Sequence, residues 1–208
     1  MAIAPTVRSV EEIRQRLLRI ASRLLVKGGA SSMTMRKVAA AANCSTMMLY
    51  TLFGGKDQLV ESVYRDGFER LAAALAPGTH EADPLERLRE LARAYRRFGL
   101  ANRTLYAAMF SQPIVTPRLR GTEARRGTQS FETLLNAVRS ARDCGALDDS
   151  RPSQIVADSL WSAVHGHVSL EISGHFTDDP PAANMRFEAL VAMCLTGLSR
   201  PSLRERLS

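Results

Sequence analysis

The sequence predicts an all-α protein of about nine helices, and three features of the chain lead to that prediction. Apolar residues recur at spacings of three and four, beginning at positions 10, 13, 17, 20 and 24, which is the period of an amphipathic helix. Glycine and proline pairs interrupt this pattern at intervals, as they do between helices. No alternating pattern long enough for a strand is present.

Composition limits the class of protein further. The chain has 208 residues, of which 45% are hydrophobic and 24% charged, so we expect one or two packed globular domains. No apolar run is long enough to span a membrane, and the opening MAIAPTVRSVEE lacks the apolar core of a signal peptide. The three cysteines are far apart in sequence, which argues against disulfides and structural zinc and favours a reducing cytoplasm.

Positive charge is concentrated in the first third of the chain. The net charge is +7 and the pI about 9.9. Residues 1–76 hold 11 Lys+Arg against 6 Asp+Glu, a net of +5, whereas residues 77–208 hold 17 against 15, a net of +2. This distribution suits a polyanionic partner bound by the N-terminal part.

The first four helices can be placed from their caps and breaks. The first helix carries Leu17 and its periodic neighbours as far as Gly28-Gly29. A short alanine-rich helix runs from Thr34, its expected N-cap, to Ala42, with Met33 and Val38 at the positions of a hydrophobic staple. Asn43 tolerates the left-handed backbone of a tight turn. Ser45 caps a third helix to about Leu52. A fourth begins near Lys56.

The rest of the chain predicts a second, larger helical domain. Pro77-Gly78 and the polar stretch after it form the best boundary, which gives domains 1–76 and 77–208. Five further helices are predicted at about 84–101, 104–111, 118–144, 152–174 and 183–199. Pro113 and Pro117 enclose one break, and Pro180-Pro181 separates the last two helices.

Residues 33–52 have the form of a helix-turn-helix motif, in which the second helix enters the major groove of DNA. The hydroxyls of Ser45, Thr46, Tyr50 and Thr51 can reach phosphates or base edges, and Met47 can make apolar contact. No acidic residue occurs from Gly28 to Gly55, so nothing there repels phosphate. The alternative is that the small hydroxyls only cap and solvate helix ends.

Lys56 lies in the first turn of the fourth helix, where a cation opposes the helix dipole. A phosphate at the same helix start would make both the lysine and the backbone N–H groups favourable. Otherwise Lys56 simply extends into solvent.

The run TMRKVAAAANCSTMMLYTLFGGKDQLV, from Thr34 to Val60, resembles the DNA-binding region of the TetR family of repressors. It departs from the family pattern at Asn43-Cys44, where Gly-Val is usual, and at Gly55, where Ser or Thr is usual; both departures are compatible with the same backbone. The resemblance implies that phosphates and bases are contacted by Thr34, Arg36, Ser45, Thr46, Met47, Tyr50, Thr51 and Lys56.

The stretch Leu160-Trp-Ser-Ala-Val-His-Gly166 resembles the Trp-His-Gly signature of one class of C-terminal domain in that family. The resemblance implies a small-molecule pocket in this domain. The residues expected to line it are Phe98, Tyr106, Met109, Phe110, Phe131, Trp161 and His165. Two interpretations of Trp161 and His165 stay open, as pocket walls or as core residues. No metal site is expected, because the spacings of the domain's histidines do not converge on a helix.

A strip of small residues recurs at spacings of three and four on the 152–174 helix, at positions 159, 162, 166, 169 and 173. Such a strip lets another helix approach closely. With the 183–199 helix it predicts a two-fold interface of four helices between two subunits. The alternative is that both helices are buried within one chain.

Together these features predict a homodimeric regulator, most simply a repressor, released from a near-palindromic double-stranded DNA operator by a small apolar or amphipathic effector. No cofactor, metal or membrane is expected. An effector-independent or architectural DNA-binding protein is the alternative. An all-α enzyme is disfavoured, because no GxSxG, HExxH, P-loop or GxGxxG motif occurs.

Overall fold

The computed structural model of the chain describes residues 7–110, 117–176 and 179–199, and this part is helical with short connections. The elements are α1 Val7–Ser32, α2 Met35–Ala42, α3 Thr46–Phe53, α4 Lys56–Leu75, a 3-10 turn Ala76–His80, α5 Pro84–Ala101, α6 Arg103–Phe110, α7 Pro117–Asp143, α8 Ser153–Ile172 and α9 Pro180–Leu198. The all-α prediction is confirmed. No helix within the described ranges is long and apolar enough to cross a bilayer.

Helix boundaries follow the predicted ones to within about three residues, except that α1 continues to Ser32 past non-helical backbone at Gly29 (φ 70°, ψ 174°), where the sequence predicts its end. The difference at the start of α9 has a clear cause. Pro180-Pro181 was expected to separate two helices, but the pair lies inside the first turn of α9. The side chain of Asp179 caps this helix by accepting from the amide of Ala182 at 2.9 Å. Proline is tolerated in a first turn because its missing N–H would have no helical partner there. The predicted break at Pro113 lies outside the described residues.

The helices form two compact units. One consists of residues 1–70 with 102–127, and the other of residues 71–101 with 128–208. Helix α6 belongs to the first unit, where it packs on α1 and places Ala108 in the core. The predicted domain boundary at residue 77 places α6 in the second domain. That boundary stays a prediction.

The core of the first unit is formed mainly by the inward faces of α1 to α4, and burial of apolar side chains there holds the two short helices α2 and α3 in place. Its fully buried large side chains include Leu17, Leu18, Met33, Val38, Leu49, Leu59 and Val63. At about 25 cal/mol per Å² of apolar surface, burial of each contributes roughly 1.5–3 kcal/mol.

The second unit is built around α5, α8 and α9. Phe187, Val191 and Leu195 of α9 are buried, as are Val164 and Val168 of α8. Two arginines of α5 form hydrogen bonds to α8 and α9. The guanidinium of Arg93 makes two hydrogen bonds of 2.8 Å with Glu188, and that of Arg96 makes two of 2.8 and 2.7 Å with Glu171. Hydrogen bonding to Arg93 lowers the pKa of Glu188.

Candidate nucleic-acid interface

Helix α2 begins with a hydroxyl cap. The side chain of Thr34 accepts a hydrogen bond from the amide of Lys37 at 3.2 Å, as the sequence predicts for an N-cap. Met33 and Val38, the residues expected to pack against each other across this cap, are both fully buried. The cap therefore holds Thr34 at the surface while its neighbours anchor the helix start.

The turn between α2 and α3 depends on Asn43. Its backbone is left-handed, with φ 50° and ψ 51°, and the next amide, that of Cys44, donates to the carbonyl of Ala39 at 3.0 Å. Arg16 of α1 donates to the carbonyl of Ala42 at 3.0 Å, which satisfies one of the open carbonyls at the end of α2. The predicted turn is confirmed, and the contact from Arg16 adds to it.

Helix α3 is fixed by its own cap and by two buried side chains. The hydroxyl oxygen of Ser45 accepts from the amide of Met48 at 3.2 Å. Leu49 and Phe53 point into the core, and the guanidinium of Arg14 lies 5.0 Å from the centre of the Phe53 ring. Because the inward face is fixed, the opposite face of α3 is held at the surface.

Helix α3 carries half of the eight predicted contact residues, and most of these four lie on its outer face. Met47 is 73% exposed and Tyr50 51%, and Thr51 is exposed whereas Thr46 is half-buried. The hydroxyl of Thr51 donates to the carbonyl of Met47 at 3.0 Å. Its proton is therefore engaged within the helix, so a phosphate contact through Thr51 requires the hydroxyl to rotate.

The start of α4 follows α3 directly in the chain. Gly54 has φ 82°, a backbone conformation that favours glycine, and Lys56 is half-buried at the first position of α4. Asp57, which follows it, is exposed in the same first turn. Asp57 complements the helix dipole but would repel a phosphate docked there, a contribution that the sequence reasoning left out. Thr34, Arg36 and Ser45 are all exposed.

Sequence reasoning also missed the side chains that brace this surface from behind. Arg14 and Arg16 are two of these side chains, and Gln15 is a third. The side-chain nitrogen of Gln15 donates to Asp66 at 3.1 Å, and its side-chain oxygen accepts from Arg70. Arg70 also forms an ion pair with Asp66 at 3.0 Å. These contacts join α1 to α4. Their partners are some fifty residues apart in sequence, and nothing in helical periodicity identifies such pairs.

The predicted effector residues of the second unit form an aromatic cluster. The ring centres of Phe131 and Trp161 lie 6.2 Å apart, and those of Trp161 and His165 lie 5.5 Å apart. The hydroxyl of Tyr95, a residue that sequence reasoning did not select, lies 2.9 Å from Nδ1 of His165. Burial lowers the pKa of His165. Trp161 is 38% exposed, and Phe98 is buried in α5.

Three other predicted effector residues belong to the first unit. In α6, the rings of Tyr106 and Phe110 have centres 4.8 Å apart, and Phe110 also meets Phe68 of α4 edge-on at 6.0 Å. Met109 packs against Gly67 of α4, where its sulfur occupies the space that a Cβ would need. The predicted effector residues are thus divided between the two units, and their role as ligand contacts stays a prediction. Within the described ranges, no group of three or more potential metal ligands occurs.

Two family matches cover most of the chain. Residues 17–63 match the family of bacterial regulatory proteins named for TetR. Residues 88–194, more than half of the chain, match the C-terminal domain described as tetracyclin repressor-like. This chain belongs to the TetR family. The Trp-His-Gly type expected for its C-terminal domain stays a prediction.

Individual relatives are distant in sequence but similar along most of the chain. The HTH-type transcriptional regulator Rv1816 of Mycobacterium tuberculosis is 21% identical, covering 81% of this chain and 84% of its own length. PfmR of Thermus thermophilus is 22% identical with a TM-score of 0.74, covering 95% of this chain and all of its own. AibR, solved in complex with isovaleryl coenzyme A and operator DNA, is 22% identical with a TM-score of 0.70, covering 87% and 97%.

Membership of the TetR family settles the class of protein. The family consists of DNA-binding transcriptional regulators, so the predictions of a regulator with a helix-turn-helix motif, and of a protein that is not an enzyme, are confirmed. In this TetR-family protein, one exposed surface combines the outer face of α3 with the hydroxyl-capped starts of α2 and α3.

Proposed function

We propose that this TetR-family protein is a homodimeric repressor whose two α3 helices enter successive major grooves of a near-palindromic operator, and which a small apolar or amphipathic effector releases. The observation that carries the DNA-binding part is the outer face of α3. It presents Met47 and Tyr50 to solvent, and it lies within a stretch, residues 28–55, that has no carboxylate.

The capping hydroxyls are suited to phosphate contact. Thr34 and Ser45 each use an oxygen lone pair to cap a helix, which leaves the hydroxyl proton available for an acceptor outside the protein. Both stand at helix starts, where backbone N–H groups and the helix dipole favour an anion. Lys56 adds a full positive charge at the start of α4. We assign phosphates to Thr34, Tyr50, Thr51 and Lys56, with Ser45, Thr46 and Met47 toward bases and Arg36 nearby.

The dimer is supported by the outer faces of α8 and α9, two helices that pack on each other. The small-residue strip of α8 faces solvent: Ser159, Ser162 and Ser173 are exposed, and nothing lies within 4 Å of a Cβ built on Gly166. On α9, Met185 and Met193 are 69% and 67% exposed. The named exposed residues of these faces are small or apolar, with the charged Arg186 of α9 on the same side of the helix as Met193, and this largely uncharged composition suits a subunit interface.

The effector is supported by the aromatic cluster around Trp161. Phe131, Trp161 and His165 bring three flat rings together in the second unit, and the lowered pKa of His165 keeps its imidazole neutral near pH 7. A partly exposed surface of this kind suits an uncharged apolar group. AibR, with the same fold, was solved with isovaleryl coenzyme A and operator DNA, so acyl thioesters are the first compounds to test.

Release follows from a shift of population. A ligand that binds one arrangement of the subunits more tightly than the other shifts the protein toward that arrangement, and the spacing of the two α3 helices then no longer fits B-form DNA. Helix α4 is the element through which we expect the shift to pass, because it begins at Lys56 beside α3 and ends beyond the limit of the first unit.

Footprinting the purified protein on the DNA that flanks its own gene tests the operator. We expect a protected near-palindromic segment with two half-sites about one helical turn apart. A panel of acyl thioesters and other amphipathic compounds is then screened for a rise in melting temperature together with loss of the footprint. A protected operator that no compound releases would favour the effector-independent binder, and the absence of any protected segment would refute the operator itself.

A further inference from the structure

The outer face of α3 lacks every side chain that reads a base by paired hydrogen bonds. From Ser45 to Phe53 the helix and its cap contain no Arg, Lys, Asn, Gln, Asp or Glu. Arg and Lys are the usual readers of guanine, Asn and Gln of adenine, and acidic residues of cytosine. Sequence preference at this face must therefore come from single hydroxyl contacts or from apolar contacts.

The hydroxyl contacts are fewer than the sequence suggests. The proton of Thr51 is engaged with the carbonyl of Met47, and Ser45 uses one lone pair on the amide of Met48. Thr46 is half-buried. The exposed hydroxyl of Tyr50 is assigned to phosphate in the proposed function. The most exposed side chain of the face is that of Met47, at 73%, and its thioether offers no hydrogen-bond donor.

Met47 occupies the middle of this face. Leu49 and Phe53, which anchor α3 in the core, lie about 160° and 120° from it around the helix at 100° per residue. Thr51, one turn later, follows it along the exposed side. A single exposed methionine is unremarkable by itself, but here it stands where α3 would approach base edges, and packing of the helix does not require it.

We infer that Met47 is a specificity-determining residue that reads the C5-methyl group of thymine in the major groove. This inference rests on the proposed operator binding. The thymine methyl is the apolar group that the major-groove edges present, and burying it against an unbranched, polarizable side chain removes both from water. The operator then contains a thymine at the position that each α3 helix touches through Met47.

The test begins with the full-length protein and duplexes selected from a random-sequence library. In the best-bound duplex, each thymine is replaced in turn by deoxyuridine, which removes only the methyl group. One thymine in each half-site is expected to lose binding on replacement, by about fourfold, the factor that burial of one methyl-sized group carries. Replacing both symmetric thymines is expected to cost about fifteenfold, because the two half-sites are separate.

Variants at Met47 assign the methyl contact to this residue. Met47→Ala binds the thymine and uracil duplexes equally, whereas Met47→Leu, which keeps an apolar side chain, still prefers thymine. The matched control is Val26→Ala, which removes an exposed apolar side chain from α1 of the same unit and leaves the preference unchanged. All three variants are expected to remain folded, because the substituted positions are exposed, and thermal unfolding checks this.

Three outcomes overturn the inference and leave the operator-binding function intact: selected half-sites without a shared thymine, a shared thymine whose methyl can be removed without loss, or a thymine preference that persists in Met47→Ala. If the library yields no preferred duplex at all, the proposed function fails and the inference fails with it.

Discussion

The proposed function gives the hydroxyl of Ser45 two roles, as a cap within the protein and as a contact with DNA. Its oxygen accepts from the amide of Met48 and so caps α3, while its proton stays free for DNA. A substitution to alanine removes both roles and cannot distinguish them, whereas glycine at a cap costs only a few tenths of a kcal/mol.

We therefore expect Ser45→Gly to keep its stability and Ser45→Ala to lose about 1 kcal/mol of unfolding free energy. Both variants should bind operator DNA more weakly, because both lack the hydroxyl. Urea unfolding and operator titration measure the two effects separately. Full operator affinity in Ser45→Gly would show that the hydroxyl serves only as a cap.

Lys56→Ala is expected to weaken binding to all DNA sequences about equally. Because one cation–phosphate contact disappears, the slope of log K against log salt should become shallower by about 0.9. Tyr50→Phe, which removes a hydroxyl from an exposed ring, should weaken binding without changing the slope. An unchanged slope together with lost sequence preference in Lys56→Ala would refute the phosphate role.

Among the elements, the turn between α2 and α3 depends most on one backbone conformation. Asn43 has φ 50°, which costs an ordinary residue about 1–2 kcal/mol and a glycine almost nothing. We expect Asn43→Gly to be as stable as the parent and Asn43→Val to lose about 1–2 kcal/mol, measured by urea unfolding. Equal stability of the two variants would show that the turn adjusts its backbone.

The sequence predicted local elements better than it predicted their partners. Caps at Thr34 and Ser45 and the turn at Asn43 follow from the chemistry of single residues, and the structure confirms them. Pro180-Pro181 was misread because proline is compatible both with a helix break and with a first turn, and the Asp179 cap decides between them.

Long-range packing was not predictable from the chain. The predicted effector residues of α6 were grouped with the C-terminal helices, whereas α6 packs on α1. The amphipathic pattern of a helix shows which face is buried but not which helix buries it. For the same reason Tyr95 was missed, since its contact with His165 joins positions seventy residues apart.

At the level of the whole molecule, the proposed dimer can be tested at Gly166. A Cβ built there has no atom of the described residues within 4 Å, and replacing glycine within a helix stabilises it by up to about 1 kcal/mol. Gly166→Arg should therefore fold well but remain monomeric in sedimentation experiments and lose operator affinity. Ala101→Arg, at an exposed position of α5, is the matched control. A dimeric Gly166→Arg would exclude this face as the interface.

The stability of the molecule should fall in mild acid. Burial lowers the pKa of His165, and burial is also the main cause that lowers the pKa of His167. The unfolded chain, with histidine pKa values near 6.5, then binds more protons than the folded one, so stability is full above about pH 6.5 and declines below it.

The decline should not exceed about 1.4 kcal/mol per pH unit for each histidine. Urea unfolding between pH 7.5 and 5.5 measures it. His167→Gln should reduce the dependence relative to the parent protein. A pH dependence equal to that of the parent would mean that His167 does not contribute.

The close approach of α4 and α6 has a mechanical consequence. The thioether of Met109 occupies the space that a Cβ at Gly67 would need. The two helices therefore pack closely at this point, and sliding one along the other would bring the thioether against a different residue of α4. Gly67 lies eleven residues beyond Lys56 on one continuous helix, roughly 16 Å along its axis. If α4 moves as one helix, a molecule that displaced Met109 would also shift Lys56, the residue to which the proposed function assigns a phosphate contact.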